Sequence, residues 1–97
     1  MSEPGKPVPE EFYQLVDEFI LQANRLNEQW PRSRISAALM YAAARFNTHN
    51  WLYRDVDLEQ SREEAADWYT AQYRGMFLDN VQQLEAAREE HERDQQA

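Results

Sequence analysis

Hydrophobic residues recur at three- and four-residue steps in the first third of the chain, which is the one-face pattern of an amphipathic helix. These positions are Phe12, Leu15, Val16, Phe19, Ala23, Leu26 and Trp30, with Ile20 and Leu21 widening the stripe. Pro9 suits the first helical position because its missing N–H would have no partner there. Pro31 disfavours helical geometry at the residue before it. The pattern predicts a first helix over about residues 9–29, preceded by a disordered leader over residues 1–8.

The second hydrophobic stretch is apolar on nearly every side. It runs from Ile35 to Asn47 and contains five alanines, which favour helix and let neighbouring helices come close. A helix that is apolar all round has to be covered all round, so we expect the central helix of a small bundle over about residues 34–53. Ser33 is the expected N-cap. At the other end, either the helix continues through residues 51–53 or these residues fold back onto the bundle.

Helical spacing returns in the last third of the chain and continues for more than twenty residues. Two N-caps compete for this helix, Asp57 and Ser61, and Ser61 with Glu64 has the capping-box pattern. We expect an irregular turn from Asp57 that tightens into helix at Ser61. The third helix is predicted over about residues 58–88, followed by a frayed acidic tail over residues 89–97.

One glycine lies inside the predicted third helix. Gly75 costs about 1 kcal/mol relative to alanine there, so we expect it to mark a close approach to the second helix or to an aromatic ring. No strand pattern and no internal repeat occurs in the sequence. The predicted fold is all-α: an antiparallel three-helix bundle forming a single domain over residues 9–88, with a long third helix that partly overhangs it.

Charge is distributed unevenly along the chain. The net charge of -8 disfavours nucleic acid as a partner, because phosphate backbones are also negative. Residues 1–29 hold six acids and two bases, residues 30–54 hold four arginines and no acid, and residues 55–97 hold twelve acids and four bases. The arginines of the middle segment either pair with carboxylates of the flanking segments or converge on an anion site. They are Arg32, Arg34, Arg45 and Arg54.

Composition also bears on the compartment. The chain has no cysteine, and no apolar run approaches the ~18 to 20 residues that span a bilayer. Five acids and three prolines within the first twenty residues argue against a signal peptide. We therefore expect a soluble, cytoplasmic protein with no membrane partner.

The sequence contains no motif of a known catalytic or metal site. His49 has no second histidine nearby and His91 lies in the acidic tail, so neither has the company of a metal ligand. With Gly5 and Gly75 as the only glycines, a glycine-rich phosphate loop is excluded. We expect a protein that is not an enzyme and that uses no cofactor and no metal.

Several polar residues are embedded in the apolar stretches. A buried polar group needs a hydrogen-bond partner, so an interhelical network is the ordinary explanation. The functional alternative is a small cleft in which Arg45 and Arg74 meet an anionic ligand or an acidic side chain of a partner. The candidate site comprises Asn24, Tyr41, Arg45, Asn47, Tyr73 and Arg74.

The aromatic content is high for a small helical domain, with five tyrosines, four phenylalanines and three tryptophans. These rings either thicken a small core or lie exposed. Tyrosine and tryptophan are enriched at the centres of protein interfaces. Exposed rings would therefore favour a protein partner or a homodimer.

Four segments together resemble the bacterial domain-of-unknown-function family 3144 over roughly residues 12–84. The segments are Phe19-Ile-x-x-Ala-Asn24, Ile35-Ser-Ala-x-x-x-Tyr-Ala-Ala-Ala-Arg-Phe-Asn47, Glu63-Glu-Ala65 and Gln72-Tyr-Arg74. Members are small proteobacterial proteins, and the resemblance implies a compact helical fold with no known activity. The chain departs from the family pattern at residues 32–34, where a glycine is expected, and at residues 48–51, where small apolar residues are expected. If the family has a common site, the resemblance places it on the six candidate residues.

We therefore expect a small bacterial protein of uncharacterised function that acts as a non-enzymatic protein-interaction or self-associating module. The alternative is a binder of a small anionic ligand that uses an Arg45/Arg74 cleft. Binding of nucleic acid through the basic middle segment is the least favoured hypothesis, because that segment is mostly apolar.

Overall fold

The computed structural model describes residues 9–54 and 59–96. It contains three helices, namely α1 (Pro9–Leu26), α2 (Arg32–Leu52) and α3 (Arg62–Gln96). The described residues include no strand. The prediction of an all-α protein with three helices is confirmed, whereas the antiparallel order of the helices stays a prediction. The predicted leader over residues 1–8 and the predicted turn at Asp57 lie outside the described residues.

Helix α1 begins at Pro9 as predicted and ends at Leu26, before the predicted end near Gln29. Beyond Leu26 the chain forms tighter three-residue hydrogen bonds. The Glu28 N–H donates to the Arg25 carbonyl at 3.2 Å, and the Gln29 N–H donates to the Leu26 carbonyl at 3.0 Å. Such bonds satisfy the last carbonyls of a helix and turn the chain. The helix therefore ends before Pro31, where the proline would have ended it.

The start of α2 corrects the prediction that Ser33 is its N-cap. The helix begins at Arg32, so Ser33 lies inside its first turn, and Pro31 occupies the N-cap position with φ -62° and ψ 150°. The Pro31 carbonyl accepts hydrogen bonds from the N–H groups of Arg34 and Ile35, both at 3.1 Å. No side chain caps the helix. The fixed φ of proline suits this position, which explains why a serine two residues later is not used.

At its other end α2 continues through Leu52, which decides between the two predicted alternatives. The Tyr53 N–H donates to the His49 carbonyl at 3.1 Å, so the helical bonding pattern extends to the C-cap residue. Thr48 also bonds within the helix, where its hydroxyl donates to the Ala44 carbonyl at 2.8 Å. The run of weak helix formers after Asn47 therefore does not end the helix.

Helix α3 has the predicted N-cap, but it begins and ends later in the chain than predicted. The Glu64 N–H donates to Ser61 Oγ at 3.1 Å, which confirms Ser61 as the N-cap. The helix begins at Arg62 rather than near residue 58 and continues to Gln96. Residues 89–96, predicted to be frayed, are therefore helical. Glutamate, arginine and glutamine make up six of its eight residues, and all three have high helix propensity.

Gly75 does not mark a close approach, so that prediction is wrong. Among the described residues, no heavy atom outside its own helix backbone lies within 4 Å of the position that a Cβ would occupy. The residue is part of the continuous helix α3. Gly75 therefore lowers the stability of the helix through its low helix propensity, and no packing contact among the described residues explains why a glycine is needed there.

Contacts divide the chain into two units, Met1–Tyr53 and Arg54–Ala97. The first contains α1 and α2, which contact each other, and the second contains α3. The prediction that α2 is covered on all sides is wrong, because none of its residues is buried. Within its unit α2 has one neighbouring helix, and one helix cannot cover every side of another. In the described part of the chain, Ala65 is the buried apolar residue.

Candidate interaction cleft

An apolar cleft of about 440 Å³ lies between α1 and α2, within the first unit. Its walls come from the helix segments on either side of the turn, and Trp30 of the turn lines it as well. The apolar lining residues are Phe19, Ala23, Leu26, Trp30, Ile35, Ala38, Leu39 and Ala42, and the polar ones are Gln22 and Arg34. We call this site the α1–α2 cleft.

The sequence explains why the cleft forms here. Ala23 on α1 and Ala38 and Ala42 on α2 carry single methyl groups, so the walls are low where these residues lie. Larger side chains rise beside them, and Phe19 and Leu39 remain 59 % and 41 % exposed. On both helices the lining residues follow three- and four-residue steps, so each wall is one face of a helix. The result is a trough with apolar sides that α1 and α2 leave open between them.

The two polar lining residues already have partners in the chain. Gln22 accepts a hydrogen bond from the Arg25 guanidinium through its side-chain oxygen. The Arg34 guanidinium lies over the Trp30 ring, with its central carbon 5.4 Å from the ring centroid. Pockets for small molecules combine apolar walls with a few polar groups that orient the ligand. Because both polar groups here are engaged, the cleft is better suited to an apolar occupant.

Tyr41 and Arg45, two of the predicted site residues, lie side by side on α2. The Arg45 guanidinium donates to Tyr41 Oη at 3.2 Å, and its central carbon lies 5.4 Å from the Tyr41 ring centroid. The pair is exposed. Residues four apart are neighbours on a helix surface, so this contact follows from the sequence spacing alone.

The other four predicted site residues are spread over all three helices. Asn24 is exposed on α1, and Asn47 is half-buried on α2. Tyr73 and Arg74 are exposed on α3, where the Tyr73 ring packs against Phe77 with 6.2 Å between ring centroids. Arg45 belongs to the first unit and Arg74 to the second, so a cleft formed by the two stays a prediction.

None of the six predicted residues lines the α1–α2 cleft. Sequence reasoning searched for polar residues inside apolar stretches and therefore missed a site made of apolar residues. The available signal was the pair of helical stripes with alanines at their centres. These stripes predict the two helices, but they do not predict that the space between the helices stays open.

Two further features of the described residues concern metal binding and membrane crossing. Within residues 9–54 and 59–96, no three histidine, aspartate or glutamate side chains gather closely enough to hold a metal ion. Across the same ranges, no helix combines the length and the apolar character that a membrane crossing requires.

The family model of DUF3144, described as a protein of unknown function, matches residues 12–84. The match includes α1 from Phe12 onward, all of α2, and α3 as far as Leu84, so it spans the whole α1–α2 cleft. No curated protein and no solved structure is significantly similar to the chain. The matched region comprises well over half of the sequence, and the chain therefore belongs to the DUF3144 family.

Proposed function

We propose that this protein is a non-enzymatic interaction module of the bacterial cytoplasm, and that its α1–α2 cleft binds the apolar face of a helix from another polypeptide chain. The observation that carries the proposal is the trough itself, with large exposed side chains beside small ones on two adjacent helix faces. Contiguous exposed apolar surface on a small protein commonly marks an interaction site. A groove between two helices is also a recurring way of binding a third.

Hydrophobic burial supplies the driving force for such binding. Each square ångström of apolar surface removed from water contributes roughly 25 cal/mol. Phe19 and Leu39 expose about half of their surface to solvent in the single chain. Inserting apolar side chains between them would bury these surfaces and fill the low parts of the walls. Filling the trough would also add the dispersion contacts that its lining now lacks.

The binding of a small anionic ligand is the second candidate function. Its support is the Tyr41–Arg45 pair, which places a phenol beside a guanidinium on an exposed helix face. An anion could accept hydrogen bonds from both groups. The α1–α2 cleft is the stronger basis for a function, because the Tyr41–Arg45 pair is open to water and water competes for the same hydrogen bonds.

The proposal can be tested by placing a photo-crosslinking amino acid at Leu39 in cells that make the protein naturally. We expect a covalent adduct with a polypeptide, because Leu39 lines the cleft. The matched control carries the same crosslinker at Met40, which is the next residue of α2, is also exposed, and does not line the cleft. A weaker adduct at Met40 would support the proposal. Absence of any polypeptide adduct at Leu39 would contradict it.

A further inference from the structure

We infer that the polypeptide bound in the cleft is a second copy of the same chain, with α1 of each copy packed antiparallel against α2 of the other. The inference rests on the proposed function and names its partner. A two-fold dimer uses the same surface of both copies, so that surface has to be complementary to itself. Three properties of the α1–α2 pair meet this requirement. The two helices carry opposite charge, their charges lie on matching flanks, and both expose apolar area.

The two helices carry opposite charge. Helix α1 has four acids and one base, whereas α2 has three arginines and no acid. When α1 of one copy lies against α2 of the other, opposite charges meet. The two-fold axis repeats the same favourable contact on the other side of the dimer. Complementary charge favours correct pairing and orientation more than it adds affinity.

The acids of α1 that matter most are those beside its apolar stripe. Glu11 and Glu18 immediately precede the stripe residues Phe12 and Phe19. They are seven residues apart, or about two helical turns, so they lie on the same flank of the stripe. Charges in such flanking positions form the ion pairs that set partner and orientation when helices pack side by side.

The arginines of α2 occupy the equivalent flank. Arg34 and Arg45 immediately precede the apolar residues Ile35 and Phe46. They are eleven residues apart, or about three helical turns, so they too share one flank. When two helices pack antiparallel through their stripes, like flanks face each other. The acidic flank of α1 would therefore face the basic flank of α2 in the second copy.

No carboxylate of the described residues neutralises the basic flank. In the part of the chain that the structure describes, the recorded contacts of Arg34 and Arg45 are with the rings of Trp30 and Tyr41 and with the Tyr41 hydroxyl. Neither guanidinium contacts a carboxylate among these residues. A guanidinium has five N–H donors, and packing over a ring leaves most of them unused, so both arginines can still donate hydrogen bonds to carboxylates of another chain.

The exposed aromatic rings supply about half of the area that a dimer of ordinary size takes from each partner. Phe12, Phe19, Trp30 and Phe46 are 44 %, 59 %, 46 % and 68 % exposed. An aromatic side chain can bury about 150–250 Å², so these four rings together could bury roughly 330–540 Å². A standard interface takes about 800 Å² from each partner. Exposed aliphatic side chains of the two stripes, such as Leu15 and Leu39, add to the aromatic share.

The test is the mass of the full-length chain in solution and the effect of reversing the two flanks separately. We expect the unmodified chain to have twice the mass of one copy by size exclusion with light scattering. The variants E11K/E18K and R34E/R45E each place like charges across both contacts, so each should raise the dimer Kd roughly tenfold or more. An equimolar mixture of the two restores opposite charges at both contacts. Native mass spectrometry should then detect a mixed dimer.

A matched control separates the effect of where the charges lie on α1 from the effect of changing the net charge of α1. The variant E10K/D17K makes the same charge change on the same helix with the same seven-residue spacing. These two residues lie on the side of α1 away from the stripe. We expect this variant to remain dimeric at concentrations where E11K/E18K is monomeric. Loss of the dimer in both variants alike would overturn the assignment of the flank.

Other outcomes would also overturn the inference. They are an unmodified chain that stays monomeric at the highest concentration, a dimer that neither flank variant weakens, or a mixture that forms no mixed dimer. If the chain is monomeric while Leu39 crosslinks to a different polypeptide, the inference fails and the proposed function stands. If Leu39 forms no polypeptide adduct and the chain is monomeric, both fail.

Discussion

Replacing Gly75 with alanine should stabilise the protein by about 1 kcal/mol. Glycine in a helix interior is less favourable than alanine by about 0.8–1.0 kcal/mol, because it loses more conformational freedom on folding. The structure decides whether that gain is realised. Apart from its two chain neighbours and the backbone of its own helix, no heavy atom of the described residues lies within 4 Å of the added methyl group, so the substitution brings no steric cost to offset the gain. For a chain of this size, 1 kcal/mol corresponds to roughly 4–8 °C in Tm.

The measurement is thermal and urea unfolding of the full-length chain, followed by circular dichroism. The matched control is Ala71→Gly, which lies one turn earlier on the same side of α3 and is also exposed. It should destabilise the protein by about the amount that Gly75→Ala stabilises it. A loss of stability in Gly75→Ala would refute the reasoning, since it would mean that another surface lies close to this glycine after all.

Three other substitutions, one of them with a control, test separate parts of the structure. Ser61→Ala removes the oxygen that accepts the Glu64 N–H, so it should cost about 1 kcal/mol in unfolding experiments, and an unchanged midpoint would show that the cap is not needed. Leu39→Ala removes a side chain that is 41 % exposed, and burying that share is worth roughly 0.6–1.2 kcal/mol in each of the two copies, so the dimer Kd should rise about eight- to sixtyfold by sedimentation equilibrium. Met40→Ala should leave that Kd within about twofold, and equal effects of the two would argue against the cleft as the contact surface. If an anion such as phosphate raises Tm, the rise should vanish in Arg45→Ala, and a rise that persists would exclude the Tyr41–Arg45 pair as its site.

The features that sequence reasoning predicted correctly depend on neighbours along the chain. The three helices follow from apolar residues at helical steps, which any window of the sequence shows. The Ser61 cap follows from a serine three residues before a glutamate. The Tyr41–Arg45 contact, which the sequence analysis did not single out, has the same local origin, because the two residues are four apart on one helix. In each case the residues that determine the feature are within one helical turn of each other.

The ends of the helices were predicted less well, because several local signals compete there. Pro31 and Ser33 are both suited to the start of a helix, and the structure uses the proline. At the other extreme, the segment after Leu84 contains no glycine and no proline, so nothing in it stops α3 before Gln96. Because this segment has few residues to bury, it is predicted to fray, and that prediction is wrong. Propensity alone is sufficient to continue a helix that is already formed, since propagation costs far less than nucleation.

The α1–α2 cleft shows why the site itself could not be read from the sequence. Small residues such as Ala38 and Ala42 predict that another helix comes close, and they do not say which helix. Within the unit that contains them, the alanines line an open trough, and no residue of α2 is buried. The expectation of close packing and the observation of an open trough agree if the helix that fills the trough belongs to another chain. The charges lead to the same view, since Arg34 and Arg45 lie on the flank that an acidic helix such as α1 of a second copy would face.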